Sequence, residues 1–339
     1  MPHDSGASLS RMRELSRDLP HHLEEGFSHA LEVARETPAL GKRPTWLVGM
    51  GGSGIAGELL RALLDRESSL PFECVHSANL PARVGAGAVV LVSSYSGNTW
   101  EVLQAYDRAS RQGAEVVALT SGGELAVRAE RDGRPVVRLP VGFPPRAAVG
   151  YSLGALLGLL APAFPRPLEE RVALRASALS DYIERCARPR GEAFRVARRI
   201  GGRLPVILGD SALAPLLTRW ATSIEENAKR IAFTGPLTEA MHNALVGWDG
   251  ISRAHARAFS GVLLDWAGAP WESRRAGQFL RALLDRRGVA TISVELPGED
   301  FLEALLSGIA LGDFVSLALA ERHGVDPLPV EAIARYRRL

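Results

Sequence analysis

The chain has 339 residues, about twice the length of an ordinary domain, so one large or two mid-sized compact units are open. Its 46% hydrophobic content and mean hydropathy of +0.02 are those of a globular protein, which excludes extended disorder and collagen-like repeats. Forty basic against thirty-eight acidic residues leave a net charge of +2, too even a balance to imply a nucleic-acid surface without a local patch.

Of the forty basic residues only two, Lys42 and Lys229, are lysines, so a lysine-dependent mechanism has two candidates. Cys74 and Cys186 form no metal-ligand spacing and read as buried free thiols in a reducing compartment. No stretch approaches the roughly eighteen uncharged apolar residues of a membrane span. The amino terminus mixes both charge signs where a signal peptide needs an apolar run, and the expected location is the cytosol.

Residues 1–40 read as an amphipathic helical lead-in, expected to pack on the outside. From residue 41 to 150 short β-rich runs at 46–48, 72–75, 88–93 and 115–119 alternate with helical segments at 55–64 and 101–110. Such alternation, with Gly and Ser at the junctions, is the pattern of βαβ units around a mainly parallel sheet. Residues 151–200 read as a Leu-, Ala- and Arg-rich helical bridge interrupted by prolines. Strand-helix alternation resumes from 201 to 339, with strands at 204–209, 259–266 and 289–296, and helices from about 212, from 272 and after 299. The strand-turn-helix units starting at Trp46 and at Val206 echo one another, which suggests two similar α/β lobes; a unit this small also recurs by chance.

Three loops could carry chemistry. Gly49-Met50-Gly51-Gly52-Ser53-Gly54 follows a buried strand and opens a helix, so backbone amides at a helix amino terminus can approach an anion. It also satisfies the dinucleotide pattern G-x-G-x-x-G, but the second strand has no acid at its carboxyl end to hold a ribose. Ser94-Tyr95-Ser96-Gly97-Asn98-Thr99 places the hydroxyls of Ser94, Ser96 and Thr99 at a second helix terminus, a set able to cup a phosphate monoester. In Phe143-Pro144-Pro145-Arg146-Ala147-Ala148 the prolines hold an extended approach to Arg146, whose guanidinium could face a developing negative charge. Taken alone, Arg146 reads as a surface ion pair.

Two further features stand in the second half. Glu225 and Glu226 occupy the end of a helix whose apolar stripe is Leu216, Leu217, Trp220, Ile224 and Ala228. Adjacent helical residues diverge by about a hundred degrees, so one glutamate can face a given pocket, and the periodicity does not say which. His242, in a semi-apolar segment, has the titration range to pass protons near neutrality, although by itself it reads as a packed core histidine.

These strings, in this order, with Glu226-Asn227-Ala228-Lys229 and His242-Asn243 through Val246-Gly247-Trp248, resemble the bifunctional phosphoglucose/phosphomannose isomerase family, which has two sugar-isomerase (SIS) lobes. The resemblance implies two SIS-type α/β lobes, each a mainly parallel sheet flanked by helices, and an aldose-ketose isomerase that uses no metal or other cofactor. It implies that Ser94, Ser96 and Thr99 bind the sugar phosphate, with Gly52 and Ser53 lining the same pocket. Glu226 matches the base that moves a proton between C1 and C2, His242 the residue that helps open the ring, and Arg146 the one that stabilises a cis-enediolate. It further implies a homodimer in which His242 is supplied by the neighbouring subunit.

Two departures from the family pattern stand out. Ala244 replaces an acid after the His-Asn pair, and the last helix lacks a lysine; Arg337 stands nearest its place, and arginine cannot transfer a proton. The alternative is therefore a catalytically impaired protein that binds sugar phosphates. Neither nucleic acid nor membrane is an expected partner.

Overall fold

The structure, a computed structural model, describes residues 5–336. They form two compact units, one of residues 18–178 and the other of residues 5–17 with 179–336. The helical lead-in and bridge are thus shared between the units instead of standing as separate pieces. The second boundary falls within the Glu169–Ala187 helix.

The 18–178 unit is built on a five-stranded parallel sheet of β1 (Thr45–Gly49), β2 (Phe72–Val75), β3 (Val89–Ser93), β4 (Glu115–Thr120) and β5 (Val136–Arg138), in the order β2-β1-β3-β4-β5. β1 and β3 are buried at every position, as continuous apolar runs are when helices cover both faces of a sheet. From β1 the chain moves outward to β2, and from β3 it moves the other way to β4, so right-handed crossovers place the intervening helices on opposite faces. Packing bears this out. A Cβ on Gly57 of the Gly51–Glu67 helix would lie 2.5 Å from Leu47 Cδ2, whereas Trp46 and Val48 cluster with Val102 and Tyr106 of the Trp100–Arg111 helix. The crevice between β1 and β3 is therefore the switch point of the sheet, where open α/β sheets bind ligands beyond the strand carboxyl ends.

The Leu19–Glu36 helix of the lead-in is amphipathic, with His21, Glu24, Ser28 and Glu32 exposed on its outer face. Leu19, Leu23, Phe27 and Ala30 of the Leu19–Glu36 helix are buried, and they pack on the Val149–Leu159 helix, itself buried along its whole length. Gly150, Gly154 and Gly158 recur every fourth residue on that helix and admit the partner backbone: a Cβ on Gly154 would lie 2.2 Å from the Leu23 carbonyl oxygen. An all-apolar helix must be covered on every side, and the lead-in provides one of those sides.

The other unit has a four-stranded parallel sheet, β6 (Leu204–Gly209), β7 (Phe233–Pro236), β8 (Phe259–Trp266) and β9 (Ala290–Leu296), in the order β7-β6-β8-β9. This repeats the order β2-β1-β3-β4, so the echo in the sequence corresponds to a shared topology. The core helix Phe301–His323 is long and apolar enough to cross a membrane by length and composition, yet 89% of its apolar window is buried inside the unit. Gly308 and Gly312 on that helix receive Leu216 and Trp220 from the Ala214–Ala228 helix, and Trp220 Nε1 donates to the Gly308 carbonyl at 2.8 Å.

Candidate active site

The loops after β1 and β3 meet at the switch point of the 18–178 unit. β1 and β3 are in register with Gly49 opposite Ser93, so both chains leave the sheet at the same level. The Tyr95 N–H donates to Ser53 Oγ at 3.2 Å across the crevice. Ser94 Oγ accepts the Gly97 N–H at 3.1 Å and lies 2.9 Å from Thr99 Oγ1, while Ser96 Oγ accepts the Asn98 N–H at 3.3 Å. A serine hydroxyl that accepts an amide keeps its own proton to donate, so this bonding aims hydroxyl donors without exhausting them. Ser53 and Ser94 are buried, Thr99 is half-buried and Ser96 is exposed, which leaves the loop open to solvent at one rim.

Two helix amino termini open on this crevice. Neither Met50, ahead of the Gly51–Glu67 helix, nor Thr99, ahead of the Trp100–Arg111 helix, makes a side-chain cap, because the Thr99 hydroxyl is turned to Ser94. Uncapped amides and the positive ends of two helix dipoles are what an anion requires. The loop after β4 backs the second of them: Ser121 N–H donates to the Tyr95 carbonyl at 3.0 Å, and a Cβ on Gly97, at φ +68°, would overlap the Gly122 carbonyl oxygen at 1.8 Å.

Arg146 belongs to the same unit and is only 3% exposed, so its reading as a surface ion pair is corrected. It sits on the short 3-10 turn Pro145–Ala148, and Gly52 lies directly against that turn: a Cβ there would come 2.8 Å from the Pro145 carbonyl oxygen. Tyr95 anchors the approach to this turn. Its phenol donates to the Pro140 carbonyl at 2.7 Å and accepts the Phe143 N–H at 3.0 Å. Tyr95 was not singled out from the sequence; the available signal was an aromatic residue set among small hydroxylated ones. Gly52, Ser53, Ser94, Ser96, Thr99 and Arg146 are thus brought together.

Glu226 and His242 lie in the other unit. The Ala214–Ala228 helix ends at Lys229, which adopts the left-handed conformation and donates Nζ to the Glu226 and Pro327 carbonyls. The turn of this helix is fixed from inside. Arg219 Nη2 contacts both Asp313 oxygens at 2.7 and 2.8 Å, Ser223 Oγ donates to Asp313 at 3.0 Å, and Asn227 Nδ2 donates to Ser316 Oγ at 2.8 Å. With Ser223 and Asn227 facing the core, Glu225 is exposed and Glu226 is half-buried on the flank. Both glutamates line a cavity of about 500 Å³ with Thr222, Lys229, Pro329 and Glu331.

His242 is exposed, not packed in the core, and begins an exposed stretch that runs through Ala244. It is absent from the lining of the cavity that holds Glu226, so within this unit the two are not brought together. Next to it lies an apolar cavity of about 620 Å³ lined by Val206, Leu208, Asn243, Trp248 and Phe259. Ala244, at the family's acidic position, is the first residue of the Ala244–Gly250 helix, which Asn243 caps. Arg337 lies outside the described residues. Among the described residues no group of three or more His, Cys, Asp or Glu side chains is placed to hold a metal ion.

Residues 190–339 match the model of the bacterial phospho-glucose isomerase C-terminal SIS domain. The chain is 31% identical to the bifunctional phosphoglucose/phosphomannose isomerase of Caldicellulosiruptor bescii over 95% of its own length and 96% of that protein's. It is also 31% identical to the bifunctional phosphoglucose/phosphomannose isomerase of Aquifex aeolicus, over 92% of this chain and 95% of the relative. Among solved structures, a putative phosphosugar isomerase from Silicibacter pomeroyi superimposes with a TM-score of 0.72 at 18% identity, covering 94% of this chain and 99% of that one. That last likeness is one of fold.

Proposed function

Because the chain belongs to the bifunctional phosphoglucose/phosphomannose isomerase family, we propose that it interconverts glucose 6-phosphate and mannose 6-phosphate with fructose 6-phosphate. The protein is an isomerase, and its own residues divide between holding the phosphate and moving the proton. The observation that carries this division is the meeting of two uncapped helix termini and the serine-threonine loop at one switch point.

In this reading Ser94, Ser96 and Thr99 clasp the phosphate, with Gly52 and Ser53 lining the pocket, and the amides neutralise the charge without a bound cation. Glu226 takes the C2 proton of the open-chain aldose, the C2–H electrons form a C1–C2 double bond and the carbonyl electrons move onto O1 to give a cis-enediolate. The proton on O2 then passes to O1, so that the carbonyl forms at C2. Returning the carried proton to C1 gives the ketose. Arg146, buried beside Gly52, offers a fixed positive charge to the enediolate oxygens. Arg337 supplies charge where the family places a lysine, and no proton transfer passes through it.

His242 assists ring opening from a neighbouring subunit. The support for a homodimer is the exposed apolar surface around that segment: Phe233 is 48% exposed and Val246 77%. A second copy seated there covers both residues and carries its exposed histidine away from its own chain. The enzyme acts in the cytosol on a soluble phosphorylated sugar.

Purified protein is expected to interconvert fructose 6-phosphate and glucose 6-phosphate in EDTA, and Glu226→Ala to lower kcat by about a thousandfold. Wild-type turnover in that variant removes Glu226 as the base. A monomer that is fully active in sedimentation-matched assays removes the shared histidine.

A further inference from the structure

His76, the first residue after β2, has no part in the roles above, yet it touches the first glycine loop. Its Nδ1 lies 2.9 Å from the Gly49 carbonyl oxygen and its Nε2 lies 2.9 Å from Glu58 Oε1. Both partners are acceptors. A neutral imidazole has one N–H and can satisfy only one of them, whereas the imidazolium has two and satisfies both. The bonding geometry therefore calls for the charged ring.

The surroundings agree. Glu58 and Arg61 face the ring from the Gly51–Glu67 helix, and the Gly49 carbonyl faces it from β1. Glu58 also accepts from Arg61 Nε at 2.8 Å, and Arg61 pairs with Asp65 at 3.0 Å. Cys74 on β2 stays a neutral thiol because burial pushes its pKa up. The Glu58 hydrogen bond raises the His76 pKa above that of an ordinary histidine, against opposing effects of burial and Arg61. Gly54 leaves room for the ring: a Cβ there would come 3.0 Å from His76 Nδ1 and 2.7 Å from the Gly49 oxygen.

Gly49 ends β1, and its carbonyl sets the direction in which residues 50–53 leave the sheet. We infer that protonated His76 is a positioning residue for this loop: it clamps the Gly49 carbonyl against Glu58, keeps Gly52 and Ser53 at the switch point, and on deprotonation loosens sugar-phosphate binding. This inference rests on the proposed assignment of the switch point to the substrate phosphate, and the experiment separates the two.

The test is kcat and KM for fructose 6-phosphate from about pH 6 to 9 in wild type, His76→Gln, Glu58→Gln and Ser94→Ala. The second ionisation of the substrate phosphate, near pH 6, affects every variant alike and cancels in their ratios. The KM ratio of His76→Gln to wild type is expected to be about fivefold at the acid end and to fall toward one as wild-type His76 loses its proton, with kcat changed by less than about twofold. Glu58→Gln is expected to move the wild-type rise in KM to lower pH. A KM ratio that is constant with pH, whether one or more, overturns the inference, as does a Glu58→Gln profile that does not move. Ser94→Ala reads the phosphate assignment itself: an unchanged KM there sinks the pocket, whatever His76 does. Nitrogen NMR of the wild-type imidazole is independent of variant folding; both ring nitrogens are expected to be protonated near pH 6.5, and a neutral tautomer there also overturns the inference.

Discussion

The Tyr95 N–H and the Ser53 hydroxyl, 3.2 Å apart, tie the turn after β3 to the first turn of the helix after β1. Through its phenol the same tyrosine holds Pro140 and Phe143, and through Gly52 the loop after β1 lies against Pro145. The result is a closed ring in which the loops after β1 and β3 and the turn of Arg146 set one another's positions.

Tyr95→Phe opens that ring at a single oxygen. The Pro140 carbonyl and the Phe143 N–H each lose a partner, at a cost of about 1–3 kcal/mol in total. Calorimetry is expected to show a Tm lower by several degrees, and kcat/KM to fall by about tenfold or more as the arginine turn drifts. A lowered Tm with intact kcat/KM means that the turn is set from elsewhere.

Gly52→Ala tests the same ring from the other side. Alanine favours the helix over glycine by about 1 kcal/mol, but the new Cβ sits 2.8 Å from the Pro145 oxygen and 3.1 Å from its carbonyl carbon, both backbone atoms that cannot swing away. The expected outcome is a small change in unfolding midpoint with kcat/KM reduced by at least about tenfold, because the shift is passed to Arg146. Wild-type kinetics in this variant rule out a working contact between the loop and the arginine turn.

Central strands were legible because a buried parallel strand must be apolar throughout, as β1, β3, β6 and β8 are over most of their length. β5 and β7 escaped notice because they are edge strands of three and four residues with partly exposed side chains, so no apolar run announces them. The hydroxyl loop was readable as a motif, but the burial of Arg146 was not: the Tyr95 phenol that holds its approach is 45 and 48 residues away from Pro140 and Phe143 in sequence. His242 misled for the opposite reason. Met241, Leu245 and Trp248 beside it pack against the core of the unit while His242 stays exposed, and the hydropathy of neighbours does not say which way a polar residue among them faces. Between Glu225 and Glu226 adjacent positions gave no choice, and the Arg219, Ser223 and Asn227 contacts, which turn the opposite side of the helix to the core, leave both glutamates on the lining of one cavity.

That internal ladder makes its own prediction. Arg219 and Asp313 are 3% and 7% exposed, and Asp313 is held by Arg219 and Ser223 together. Asp313→Ala leaves a buried guanidinium without its carboxylate and is expected to cost about 3–5 kcal/mol in urea unfolding, whereas replacing both residues by well-packed apolar ones is expected to cost far less. The double variant retains the fold but loses the Arg219 and Ser223 contacts to Asp313, leaving only the Asn227–Ser316 rung of that ladder to turn the helix of Glu226, so kcat should fall while the unfolding midpoint recovers. Equal kcat in the double variant and wild type excludes any role of the ladder in aiming Glu226.

The pH dependence of stability follows from Glu58 and His76 together. The His76 hydrogen bond, opposed by burial and helped by Arg61, brings the Glu58 pKa down from its ordinary 4.5 to about 2. A depressed carboxyl stabilises the folded state fully above 4.5 and loses that contribution as the pH falls toward 2. The His76 pKa is raised above 6.5, so its contribution is complete below 6.5 and is lost as the pH rises through the raised value. The two windows overlap between about pH 4.5 and 6.5, where both partners are charged in the folded protein. Glu58→Gln is therefore expected to lower the urea midpoint most within that interval and progressively less toward either extreme. A difference from wild type that does not vary with pH shows that the pair adds no charge-dependent stability and leaves Glu58 a packing residue.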